Sequence, residues 1–252
     1  MSRSLVSSLT DRVTGAIPVH LVTKDSLKGW LETATAADRG WVAANGFEGK
    51  AGTRLLLPGG EGALAAALYA FDPAAGPFAF SALGAGLPAG TYRIETRLDR
   101  GMADDVAIGF ALAHYRFDRY RKMERSKALL VWPKAADRSA VTRRVEAQTL
   151  VRDLINTPAE DMGPAELAEA ARGIAKAGGA DFDVTVGDQL LKRNFPLVHA
   201  VGRASSRAPR LIDLTWGKRG PRVALVGKGV CFDSGGLDLK SAEGMKLMKI
   251  FN

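Results

Sequence analysis

The chain has 252 residues, 35 Lys and Arg against 27 Asp and Glu, a net charge of +8 and one cysteine, Cys231. That length can bury one large core or two of ordinary size, and the single cysteine excludes an internal disulfide framework and any cysteine-rich metal site, as fits a reducing compartment. The basic residues are scattered from Arg3 to Lys249, so the charge describes solubility better than a nucleic-acid face, and nucleic acid is not expected as a partner.

The longest apolar run, Ala63 to Phe71, is far too short to cross a bilayer. The opening MSRSLVSSLTDRV lacks the apolar core of a secretory leader. A cytoplasmic protein with no membrane partner is expected. In the first half, short β-like runs alternate with helical ones through PVHLVT, KDSLKGWLETA, TRLLLPG, GALAAALYAF and GTYRIET, which suggests an α/β domain. From Ala103 to Arg121, Val106, Phe110, Ala113, Phe117 and Tyr120 recur at helical steps and predict one amphipathic helix. Its end, RFDRYRKMER, is read as a solvated helix face with the aromatics toward the core, in preference to a partner or nucleic-acid surface. LLVWP reads as a strand.

The polar, breaker-containing PKAADRS marks a domain boundary, giving an N-terminal α/β domain over 1–136 and a second domain over 137–252. A linking helix over Val141 to Leu154 should stop at Asn156 to Pro158, because proline pushes its predecessor out of the helical region. Beyond it come a helix (PAELAEAARGIAKAGG), a strand (FDVTV), a helix (DQLLKRNF) and two apolar β runs, RLIDLTW and RVALVG. RVALVG is apolar without alternation, as in a strand covered on both faces of a mainly parallel sheet, and ligands in such sheets sit where GKGVCFDSGG follows.

The glycines there match no common phosphate or nucleophile motif. A P-loop would need glycine at Val223 and a hydroxyl residue at Gly229. A dinucleotide fingerprint and a nucleophile elbow both fail at Phe232. The charged residues offer another reading. Lys228, at the exit of a buried strand, would need a carboxylate, an anion or a metal that takes it as a neutral amine. Asp233 can supply a hard oxygen ligand, and Lys240 a cation that stabilises negative charge developing on a carbonyl oxygen. An ordinary Lys228 to Asp233 ion pair with Lys240 solvated accounts for the spacing equally well. His20, His114 and His199 are dispersed and read as surface or second-layer residues, Cys231 as a small buried hydrophobe, and Trp30, Trp41, Trp132 and Trp216 as core anchors.

VGKGVCFDSGGLDLK resembles, almost residue for residue, the first metal-binding segment of the leucine (cytosol) aminopeptidase family. Further similarity lies in YRFDRY, INTPAEDMGP and FPLVHAVGRASSRAPRLIDLTW. The resemblance implies that Lys228 and Asp233 ligate metal, Asp233 bridging two divalent ions (Mn or Zn), and that Lys240 is catalytic. It implies a peptide substrate with a free N-terminus, a metal-activated water as nucleophile and hexameric assembly. The fold so implied is α/β with two domains, an N-terminal α/β domain and an incomplete C-terminal α/β catalytic domain with a mainly parallel central sheet. The family has an aspartate after its Met-Lys pair, where this chain has Phe251, and a later Asp-x-Glu-x-Arg segment that is absent here. Glu160 and Asp161 lie in another motif and read as helix-terminus and surface groups. A C-terminally truncated member is therefore expected, inactive alone and with exposed apolar strand edges prone to aggregation. Two other readings compete with it: a non-catalytic assembly protein that pairs with full-length subunits, and a basic nucleic-acid binder.

Overall fold

The computed structural model describes residues 4–246 and Met248. The chain divides into two compact units, the first ending at Val151 and the second beginning at Arg152. Both are α/β.

The first unit is built on six strands: β1 (Leu9–Thr10), β2 (Ile17–Val22), β3 (Arg54–Pro58), β4 (Leu64–Ala70), β5 (Gly90–Ile94) and β6 (Ala128–Val131). Their order is β1-β6-β5-β2-β4-β3, with every neighbouring pair parallel except β3 and β4. Its helices are α1 (Ser26–Thr33), α2 (Ala36–Ala44), α3 (Ser81–Gly86) and α4 (Arg100–Ala113), and α5 (Arg138–Asn156) begins in this unit and ends in the second. GALAAALYAF, which simple alternation would make helical, contains the inner strand β4. Ala67 and Tyr69 join the cluster around α3, α4 and the start of α5, whereas Ala66, Leu68 and Ala70 join Leu27 and Val42 of α1 and α2. With both faces covered, the run carries no polar alternation. The Tyr69 hydroxyl satisfies itself on the Ala79 carbonyl at 2.5 Å.

The helix expected from Ala103 to Arg121 is shorter. Asp99 caps its start by accepting from the Met102 N–H at 2.8 Å. At its end, the His114 ring nitrogens lie 2.9 Å from the Phe110 carbonyl and 3.0 Å from that of Ala128 on β6, and the Arg116 guanidinium donates to the Ala113 and Tyr115 carbonyls at 3.0 and 2.7 Å. These contacts satisfy the last turn and divert the chain into a loop. Phe117 and Tyr120 therefore lie on that loop, and Tyr120 is 55 % exposed rather than turned to the core.

α5 ends at Asn156, as the Thr157–Pro158 pair requires. Its start is capped by Asp137, which accepts from the Ala140 and Ser139 N–H groups at 3.0 and 3.1 Å and from the Ser139 hydroxyl at 2.8 Å. The Ala140 N–H above all, then the Ser139 hydroxyl, holds the Asp137 carboxyl below the usual carboxylate range. A carboxyl whose folded-state pKa is depressed stabilises fully above its unfolded value, near 3.8, and loses that contribution as pH falls through the lower folded value. Asp137→Ala is therefore expected to lower the melting temperature at pH 7, with the gap to the parent chain narrowing below pH 3.8 in a calorimetric pH series.

In the second unit α6 (Pro164–Gly178) precedes β7 (Asp181–Val186), α7 (Gln189–Lys192), α8 (Pro196–Gly202), β8 (Arg210–Thr215) and the short α9 (Ala242–Lys246). Proline opens α6, and Gly179, at φ 66°, closes it in the left-handed conformation that glycine adopts freely. β7 and β8 pair antiparallel, so the mainly parallel sheet lies in the first unit. RVALVG, expected as a covered strand, is assigned to no strand. Val223, Leu225 and Val226 are 82, 94 and 96 % exposed, because among the described residues no strand pairs with them. Two smaller expectations also change here. Trp216 is 77 % exposed, its indole N–H donating to the Gly178 carbonyl at 2.9 Å, and Cys231 is half-buried. Among the described residues no helix is long and apolar enough to cross a membrane.

Candidate metal centre

The loop from Gly227 to Ser241 carries the candidate site. Its turn depends on two glycines at positive φ, Gly235 (96°) and Gly236 (81°). A Cβ at Gly235 would lie 2.3 Å from the Asp238 carbonyl oxygen, which no side chain tolerates. The turn is closed by the Lys240 N–H on the Ser234 carbonyl at 3.0 Å.

This closure brings Lys240 back onto Asp233. The Lys240 Nζ lies 3.3 Å from Asp233 Oδ2, and the Gly235 N–H donates to Asp233 Oδ1 at 2.8 Å. The Gly235 N–H first, then Lys240 and the more distant charge of Lys228, holds the Asp233 carboxyl below the usual carboxylate range. The simple pair expected from spacing is thus altered: Lys240, not Lys228, is the partner of Asp233. Lys228 is exposed, since the segment before it is exposed, and the desolvation cost anticipated for it does not arise. Beside it, Gly229 packs on α6, where a Cβ would come within 2.8 Å of Leu167 Cδ2.

A second cluster, which sequence reasoning missed, holds the entry to α6. Arg207 donates to the Ala159 carbonyl at 2.8 Å and to that of Glu160, and its guanidinium lies 3.7 Å from the Glu160 carboxylate and 4.0 Å from that of Glu166. Glu166 accepts from the Gly163 N–H at 2.9 Å. Arg207 thereby ties ASSRAP to INTPAEDMGP, two stretches far apart in sequence. No periodicity marks an arginine in a loop, so only the fold reveals it. The histidines take no part in this site: His114 is buried against α4 and β6, and His199 Nε2 lies 3.1 Å from Asp188.

Among the described residues no three His, Cys, Asp or Glu side chains gather as a metal set. Lys228 and Asp233 are the right kinds of donor, an amine and a hard oxygen. Two donors fall short of the four to six that each divalent ion takes, and both Asp233 oxygens already accept hydrogen bonds. Lys249 and Phe251, where the resemblance departs, lie outside the described residues.

Comparison with known proteins agrees with this reading of the fold. Residues 17–133 match the M17 aminopeptidase N-terminal domain, and residues 149–250 the catalytic domain of the cytosol aminopeptidase family. The chain belongs to the M17 cytosol aminopeptidase family. It is 34 % identical over 239 residues to a probable cytosol aminopeptidase of Nitrobacter winogradskyi, covering 82 % of this chain and 47 % of that one. Among solved structures, the cytosol aminopeptidase from Coxiella burnetii superposes with a TM-score of 0.87 at 41 % identity, covering 96 % of this chain and 54 % of that one. The bottromycin maturation enzyme BotP in complex with Mn gives 0.74 at 30 % identity, covering 94 and 52 %. The chain spans about half the length of these proteins.

Proposed function

We propose that this chain carries part of the active site of a metal-dependent aminopeptidase that removes the N-terminal residue, often leucine-like, from peptides. The observation that carries the reading is the glycine-closed turn that sets the Lys240 ammonium 3.3 Å from the Asp233 carboxylate within the stretch that matches the family's catalytic domain. In this proposal Lys228 and Asp233 are two donors of a site for two divalent ions, Mn or Zn, and the ions supply a water of lowered pKa. Lys240 is its catalytic cation. Fixed by Asp233 and by the Ser234 carbonyl, it offers positive charge to the carbonyl oxygen of the first peptide bond, where negative charge develops on attack. The remaining donors come from outside the described residues, so the chain alone does not turn over. A cytoplasmic, hexameric setting goes with the reading.

The test is a chimera of this chain with the second half of the Coxiella burnetii cytosol aminopeptidase. Folded chimera is expected to hydrolyse leucine amide with Mn, and Lys240→Ala to lower kcat by a factor on the order of 100 to 1000, as losing one oxyanion-stabilising group does. Asp233→Asn should weaken Mn binding. A folded chimera that is active and indifferent to Lys240→Ala, Lys228→Ala and Asp233→Asn would remove these residues from the site.

A further inference from the structure

The sheet of the first unit has a topological switch at β2, from which the strands run outward to β4 and β3 on one side and to β5, β6 and β1 on the other. Ligands of open α/β sheets sit at the carboxyl ends of the strands beside such a switch. A cavity of about 260 Å³ opens there. It is lined by Phe71, which leaves β4, by Asp99, which follows β5 and caps α4, and by Phe80, Met102 and Asp105. The Phe71 and Phe80 ring centroids lie 5.2 Å apart and give the cavity an aromatic wall. No lysine, arginine or histidine lines it. Asp99 Oδ1 is occupied by the Met102 N–H at 2.8 Å, whereas Asp105 makes no hydrogen bond or ion pair among the described residues. Burial above all raises the Asp105 carboxyl above the usual carboxylate range; Arg144 on α5 pulls the other way as a more distant charge, and Asp104 and Asp99 add to the rise. Gly76, at φ 55°, carries the Pro73–Phe80 segment past this carboxylate, whose Oδ2 lies 3.9 Å from where a Cβ would stand, so that position puts no side chain over it.

We propose that this cavity binds a small organic ammonium ion, an amine with an apolar tail, whose charge pairs with Asp105 and whose tail lies against Phe71, Phe80 and Met102. The volume equals roughly nine waters' share of the liquid, which suits a molecule of about eight to ten non-hydrogen atoms. A carboxylate partly withdrawn from water and without a partner calls for a cation, and aromatic faces attract one. A divalent metal needs four or more donors, and two carboxylates, one of them already capping a helix, fall short. A neutral apolar molecule would leave Asp105 unpaired. A free amino acid would bring its own carboxylate beside two others, with no cation in the lining to receive it. The inference does not rest on the peptidase reading, because every residue in it belongs to the first unit.

Titration of the full chain with benzylammonium, followed by NMR, tests it. Binding is expected with a Kd on the order of 0.1 to 1 mM, as about eight non-hydrogen atoms allow, and with nuclear Overhauser contacts between the benzyl ring and the Met102 methyl group. Benzyl alcohol, the neutral isostere, and zwitterionic phenylalanine are each expected to bind at least about tenfold more weakly. Asp105→Asn, which keeps the shape of the side chain, should weaken benzylammonium about tenfold. Glu32→Gln, the same charge change on exposed α1, should leave the affinity unchanged. Circular dichroism confirms that both variants are folded, and the comparisons between ligands are made on the parent chain. Equal affinity for benzyl alcohol, equal effects of the two variants, binding without the Met102 contact, or no binding up to about 10 mM would each overturn the proposal.

Discussion

Purified and supplied with Mn or Zn, the 252-residue chain is expected to leave leucine amide unhydrolysed, at a rate within experimental error of the metal-only blank. The reason is a count of donors. A divalent ion in a protein takes four or more ligands, and a pair of ions needs more than a shared carboxylate and one amine. Asp233 already accepts from Gly235 and Lys240, and Lys228 stands exposed, so nothing in the described loop fixes two ions at a set spacing. Without a fixed metal-activated water, the Lys240 cation stabilises an oxyanion that no nucleophile generates. Enzymatic rate enhancement begins at about a millionfold over the uncatalysed reaction, so the assay has ample range to separate the two outcomes. Metal-dependent turnover that disappears with Asp233→Asn would show the donor count to be wrong.

The largest effect on stability is expected at Gly109, in the middle of α4. The segment Pro73–Phe80 crosses the helix there, and a Cβ on Gly109 would meet the Pro77 carbonyl oxygen at 2.1 Å and Phe80 Cβ at 2.9 Å. Replacing glycine by alanine inside a helix ordinarily gains up to about 1 kcal/mol of propensity. Here the neighbour is backbone and cannot rotate aside, so overpacking of about 3 kcal/mol outweighs that gain. Gly109→Ala is expected to lower stability by about 2 kcal/mol, read as a fall in urea midpoint at unchanged slope. Gly173→Ala in α6, where nothing lies within 4 Å of the added methyl, should instead stabilise by a few tenths to about 1 kcal/mol. A stabilising Gly109→Ala would mean that α4 and the Pro73–Phe80 segment are less closely packed than described.

What the sequence makes legible follows from how local each cause is. The ends of α5 and α6 follow from Pro158, Pro164 and Gly179, each acting on its own backbone. The alternating faces of β4 show in no pattern, since apolar side chains are needed on both, and only the sheet order explains why Ala67 and Leu68 are both buried. The extent of α4 is hidden for a different reason. The apolar rhythm continues through Phe117 and Tyr120, and what ends the helix is a tertiary contact, His114 reaching the Ala128 carbonyl. At the candidate site, the residues Lys228, Asp233 and Lys240 are legible as a motif, and their pairing is not. Spacing left open whether Lys228 and Asp233 form an ion pair or share a metal site, whereas positive φ at Gly235 and Gly236 folds Lys240 onto Asp233. Arg207 escaped notice because its role is to join two distant loops.

Equilibrium dialysis of the full chain against Mn, read by electron paramagnetic resonance, tests the central claim most directly. The partial donor set predicts no site filled at micromolar metal, and weak, Asp233-dependent binding only at far higher concentration. Two ions bound per chain at micromolar Mn would contradict it.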